Sequence, residues 1–123
     1  MNEFKLIVAG SRGFNNKELF VASLTDIAEY VLDDYAVSIV SGMAKGADLM
    51  AYNFCKEKDV KCYEFPADWE RYGKSAGYRR NEVMAKFADG LLAFQCREQP
   101  TPGTAHMIET MRNMSKPVWV INY

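Results

Sequence analysis

Short apolar runs alternate with longer stretches of helical period along the whole chain. Phe4 to Ala9 is a compact β-rich run that ends at Gly10. From Lys17 to Leu32, apolar side chains fall at Phe20, Leu24, Ile27 and Val31, one stripe of a helix that Asn15 or Asn16 can cap. Ala36 to Val40 predicts a second strand, closed by Ser41-Gly42. Lys45 to Lys58 predicts a helix with Ala47, Met50, Ala51, Phe54 and Cys55 on one side. Val60 to Phe65 is a third strand, stopped by Pro66, and the stretch to Gly77 is irregular and long for a connection. Helical spacing resumes from Tyr78 to Ala88 through Val83, Met84, Phe87 and Ala88. Leu91 to Phe94 is a fourth strand, Thr104 to Asn113 a last helix and Val118 to Ile121 a last strand.

Strands that read as near-continuous apolar runs are buried on both faces, as in parallel sheets. Five such strands alternating with four helices predict an α/β fold, a three-layer α/β/α Rossmann-like sandwich around a mainly parallel sheet. In open sheets of this kind, ligands bind beyond the carboxyl ends of the strands, where strand order reverses. The segments expected there are Gly10-Ser11-Arg12-Gly13-Phe14, Ser41 to Asp48, Pro66 to Gly77, and Gln95 to Thr104.

Composition narrows the function classes. With 123 residues, 49% hydrophobic and 25% charged, the chain is expected to fold as one domain over 1–123. Fifteen Lys and Arg against 16 Asp and Glu leave a net charge of −1, which argues against a broad basic face for duplex nucleic acid. No apolar run is long enough to span a bilayer, and Gly10-Ser11-Arg12 breaks the early apolar stretch that a secretion signal needs. Cys55, Cys62 and Cys96 form no C-x-x-C pair, so reduced thiols and a cytoplasmic location are expected. With His106 the only histidine, neither a metal site nor another cofactor is expected. Seven Met, seven Tyr and seven Phe are more than a thin sandwich hides, so a homo-oligomer is expected.

The rim segments carry the candidate chemistry. Gly10-Ser11-Arg12-Gly13 lets backbone approach a ligand, but it is neither a Walker A loop nor the dinucleotide G-x-G-x-x-G, and no acidic residue ends the second strand to hold a ribose. Nicotinamide dehydrogenase chemistry is therefore disfavoured. Gly42 and Gly46 lie four apart before a helix, with Lys45 between them and Asp48 in the first turn. Asp68, Trp69, Tyr72, Lys74, Arg80 and Asn81 follow, aromatics beside cations, which suits a stacked base and its phosphates. Arg79 and Arg80 open a helix, where cations oppose the dipole, and adjacent arginines point different ways. Gly103 permits close approach, and Thr104 can cap the last helix or donate to a phosphate. His106 reads as a satisfied, partly buried histidine, and Cys55 as core. If the site is catalytic, Asp48, Arg80 and Glu109 are the candidates.

Taken together, Val8-Ala9-Gly10-Ser11-Arg12-Gly13-Phe14, Val40 to Asp48, Phe65-Pro66-Ala67-Asp68-Trp69, Tyr72-Gly73-Lys74, Ala76-Gly77, Arg80-Asn81, Met84 and Gly103-Thr104 resemble the SLOG superfamily. That superfamily gathers the Smf/DprA and Lonely-Guy-type proteins, and the resemblance is to its YspA/YpsA-related branch of small stand-alone domains of bacteria and phages. It implies a Rossmann-like fold and a nucleotide or nucleotide-derived ligand, bound for sensing, sequestering or processing. Gly10, Ser11, Arg12, Gly42, Gly103 and Thr104 would hold phosphate and ribose, and Lys45, Lys74 and Arg80 would offset charge. Trp69 or Tyr72 would contact the base and Asp48 a hydroxyl, with Gly46, Asp68 and Asn81 beside them. The alternative is a Lonely-Guy-like hydrolase cleaving the N-glycosidic bond of a nucleoside monophosphate. The phosphate loop of those enzymes reads P-G-G-x-G-T-x-x-E; here Gly103-Thr104 is kept, and Met107 stands at the glutamate position.

Overall fold

The computed structural model describes every residue from Met1 to Tyr123. Five strands, β1 (Asn2–Gly10), β2 (Tyr35–Ser41), β3 (Cys62–Glu64), β4 (Gly90–Gln95) and β5 (Val118–Asn122), form one sheet in the order β3-β2-β1-β4-β5. All four pairings are parallel. The chain first winds outward from β1 to β3, then crosses back to lay β4 on the other side of β1. Strand order therefore reverses between β1 and β4, which meet with Gly10 opposite Phe94.

Alternation along each central strand divides the interior into two cores. Leu6, Val8, Leu92 and Phe94 face α1 (Lys17–Asp26) and α2 (Ala47–Lys58), and the core there also holds Phe20, Leu24 and Cys55. Ile7, Ala9, Leu91 and Ala93 face α4 (Ala76–Phe87) and α5 (Pro102–Asn113), where Met84, Ala85, Met107 and Met111 close the second core. A fifth helical segment, the single turn α3 (Trp69–Tyr72), lies in the stretch read as irregular and runs through a 3-10 turn (Gly73–Ser75) into α4.

Helix α1 begins as expected, with the Asn16 side chain accepting from Leu19 N–H at 3.0 Å. Its end differs. The last turn, Ile27–Val31, is a π turn in which Leu32 N–H donates to Ile27 carbonyl at 2.9 Å. That wider turn rotates the stripe by one residue, so Leu32 is buried and Val31 is left exposed. Val83 also faces solvent, because Asn81, Met84 and Ala85 take the inner face of α4.

The C-terminus of α4 is closed by a lysine from the turn before β5. Lys116 Nζ donates to the carbonyls of Ala85 at 2.6 Å, Lys86 at 3.2 Å and Ala88 at 2.7 Å. An ammonium there satisfies carbonyls that the helix leaves unpaired and lies at the negative end of its dipole. Lys116→Met keeps the stem and removes these bonds; urea unfolding should read a loss of about 1–2 kcal/mol. No helix is long and apolar enough to cross a membrane.

Candidate functional site

The loop between β2 and α2 is built around a buried hydroxyl. Ser41 Oγ accepts from Met43 N–H at 3.1 Å and donates to the Asp48 carbonyl at 2.8 Å, so it ties the loop's two ends together. Between them the chain turns sharply, with Met43 at φ 62° and Gly46 at φ 90°. A Cβ on Gly46 would overlap the Ser11 carbonyl oxygen, so the loop after β1 and the loop after β2 touch through this glycine.

The same turn buries Asp48 in the first turn of α2. The backbone amides of Gly10, Ala44 and Asp48 itself hold the carboxylate, and Arg80 attracts it, yet burial outweighs them and pushes its carboxyl up to about 6. Gly42 lies between Asp48 and Arg80: a Cβ there would meet Arg80 Nη1 at 2.6 Å and Asp48 Oδ2 at 2.7 Å. The two charges are therefore neighbours, but they form no ion pair in contact; the one such pair in the protein is Lys17–Glu57.

Arg80 is held by hydrogen bonds from both ends of its fork. Nη1 donates to the Gly42 carbonyl at 2.5 Å and Nε to Asn81 Oδ1 at 3.0 Å. Burial lowers its pKa, Asp48 opposes the shift and nearby Arg12 adds to it. Asn81 is buried and connects three elements. Its Nδ2 donates to the Gly103 carbonyl at 3.2 Å and meets His106 Nδ1 at 3.3 Å. Guanidinium only donates and a carbonyl only accepts, so the amide orientation is fixed. Its second N–H then faces a lone pair on Nδ1, which assigns the neutral ring proton to Nε2. Arg79 turns the other way, its guanidinium 4.6 Å from the Tyr72 ring centre and its Nε donating to Ser75 Oγ.

Of the expected site residues, the fold gathers Gly10, Ser11, Arg12, Gly42, Gly46, Asp48, Arg80, Asn81 and Gly103 into one connected group at the carboxyl rim. Trp69 borders it: its ring edge lies 3.4 Å from where a Cβ on Gly77 would stand, and Gly77 neighbours Arg80. Trp69 is half exposed. Lys45 and Lys74 are exposed and make no hydrogen bond to the group. Asp68 accepts from Arg71 N–H at 3.1 Å and so caps α3. Thr104 is not the cap of α5: the helix starts at Pro102, and the buried Thr104 hydroxyl accepts from Thr101 Oγ1 at 2.8 Å. No side chain caps α5, and space beside Gly103 is open. Glu109 is exposed in a groove between α4 and α5 with Glu82, Lys86 and Asn113.

The residues that match known proteins lie across this rim. The family model described as YspA, cpYpsA-related SLOG family matches residues 4–72, a span holding the β1 loop, the β2 loop and Trp69. The chain belongs to this SLOG family. It is also similar to the Gene 61 protein of Mycobacterium phage D29, 29% identical over 120 residues and covering 93% of each chain. In this SLOG domain the family-matched loops supply the glycines and Asp48. Arg80, Asn81 and Gly103 come to them from the second half of the chain.

Two participants escape a reading of loops alone. Tyr123, just past β5, hydrogen-bonds through its hydroxyl to Ser11 Oγ, and its ring packs 5.0 Å from Phe14. A parallel sheet delivers the residue after every strand to the same rim, so the signal was the fifth strand itself. Ser41 belongs to the expected rim segment, but its buried hydroxyl as the tie between the loop's two ends has no signal in the sequence. Chemically, the rim offers two guanidinium groups, an uncapped helix N-terminus and a flat indole. Cys55 lies apart from it in the core, where burial pushes its pKa up to about 12.

Proposed function

We propose that this SLOG domain binds a small nucleotide or nucleotide-derived ligand at the carboxyl rim. The anionic group sits between Arg80, Arg12 and the N–H groups opening α5, and the base lies against Trp69. The observation that carries the reading is Arg80, a partly buried guanidinium held by Gly42 and Asn81, near a second arginine and with no carboxylate in contact. Such a charge is costly unless an anion completes it. The open first turn of α5 adds unpaired donors on the same side as Asn81. Family membership is consistent with a nucleotide-related ligand.

Binding without turnover fits the carboxylates better than N-glycosidic cleavage does. Asp48 is buried behind Gly42, Asp68 caps α3, and Glu109 faces the α4–α5 groove. A thermal-shift screen against nucleoside mono-, di- and cyclic phosphates should give at least one ligand that raises Tm by mass action. A panel that leaves Tm unmoved overturns the reading. Trp69→Ala should then weaken the best nucleotide by about 1–3 kcal/mol, the scale of one base stacked on an aromatic ring, and leave inorganic sulfate affinity unchanged. Equal losses for both would take the base off Trp69.

A further inference from the structure

We propose that the rim binds its anion together with a proton, which Asp48 takes up. The inference rests on the anion-binding reading above and adds a regulation to it. Three observations converge. Asp48 is buried under the glycine loop, and Arg80 is the cation that attracts it. The two stand on either side of Gly42 without touching, so Arg80 attracts Asp48 through space, while its Nη2 makes no hydrogen bond within the protein. The carboxylate also holds the amides of Gly10 and Ala44, which ties both glycine loops to its charge.

The charged groups around Asp48 come from three elements. Arg80 faces it from α4, Arg12 lies beside Arg80 on the loop after β1, and Lys45 is exposed on its own loop. No second carboxylate shares the enclosure. An anion docked on Arg80 and Arg12 places negative charge across Gly42 from Asp48 and draws on the same guanidinium. The carboxylate is already poised near neutrality, with a value of about 6. Losing part of Arg80's attraction raises it further, and the carboxyl binds a proton.

The sign follows. Complex formation that takes up a proton strengthens as pH falls through the range between the free and the bound pKa of Asp48. Each pKa unit gained on binding appears as about a tenfold gain in affinity. Nucleotide monoesters titrate in the same range, so inorganic sulfate, fully ionised throughout, is the probe.

Sulfate is titrated into the full chain while the Arg80 Nε–H and Asp48 carboxyl carbon signals are followed by NMR. Affinity should be about tenfold higher at about pH 5 than at about pH 8, and saturating sulfate should move the Asp48 titration upward. Asp48→Asn should flatten the pH dependence. If that variant does not fold, the wild-type carboxyl titration decides alone. Sulfate that shifts Arg80 but leaves Asp48 titrating as before overturns the coupling and keeps the anion site. Sulfate that leaves Arg80 unmoved overturns the anion site, and the coupling falls with it.

Discussion

Gly46→Ala is expected to cost about 3 kcal/mol or more of folding stability, a large loss for one added methyl. Gly46 sits at φ 90° and ψ −134°, a conformation that only glycine adopts freely. An L-residue there carries about 1–3 kcal/mol of backbone strain before any contact is counted. The contact is worse than the strain. The new Cβ would overlap the Ser11 carbonyl oxygen and stand 3.0 Å from Arg12 backbone atoms. Backbone cannot rotate aside as a side chain can, so the β1 and β2 loops must separate. Urea unfolding should show a lower midpoint at unchanged slope. Gly13→Ala is the control: it meets nothing within 4 Å and its φ is not positive, so it should change stability by less than about 0.5 kcal/mol. A Gly46→Ala protein as stable as the wild type would disprove the close loop contact.

Most of the fold was legible because its signals are local. Strands such as Phe4–Ala9 are near-continuous apolar runs, broken there only by Lys5, and both faces of β1 are buried in the sheet's two cores. The stripe on α2 appears as read, with Ala47, Ala51 and Cys55 buried. The misreadings have definite causes. A π turn inserts one residue per turn, and no periodicity fixed at 3.6 foresees the exchange of Val31 for Leu32 at the core. The sequence predicts that α5 starts at Thr104, a residue able to cap it. Pro102, pre-set for a first helical turn, is where it begins.

The candidate site was legible as a set of loops and less so as a set of contacts. Parallel topology alone gathers the segments after each strand. It does not say that Asp48 would turn inward onto the amides of Gly10 and Ala44, or that Asn81 would join Arg80 to Gly103 and His106. The bond from Asn81 to Gly103 spans 22 residues and that from Arg80 to Gly42 spans 38. Only the packed tertiary structure creates them. Asp68 shows the reverse case: a charged residue in an aromatic, cationic stretch that serves its own helix turn.

Arg80→Ala should lower affinity for the best nucleotide of the panel by about 1.5–3 kcal/mol, roughly ten- to a hundredfold, the scale of a hydrogen bond to a charged group. Lysine should not substitute, because a single ammonium lacks the fork that engages Gly42 and Asn81 at once. Two further variants separate position from charge. Gly42→Ala keeps every cation, but its Cβ would meet Nη1 at 2.6 Å and Asp48 Oδ2 at 2.7 Å. The guanidinium must swing away, and affinity should fall nearly as far as in Arg80→Ala. Arg79→Ala removes a charge from the adjacent position, yet its side chain is stacked on Tyr72 and bonded to Ser75, away from the group around Gly42. Calorimetry should find its affinity within about twofold of wild type, the residual effect of a screened charge. Equal losses in the two arginine variants would mean that the ligand responds to the general field of the helix, and the oriented guanidinium would no longer account for binding.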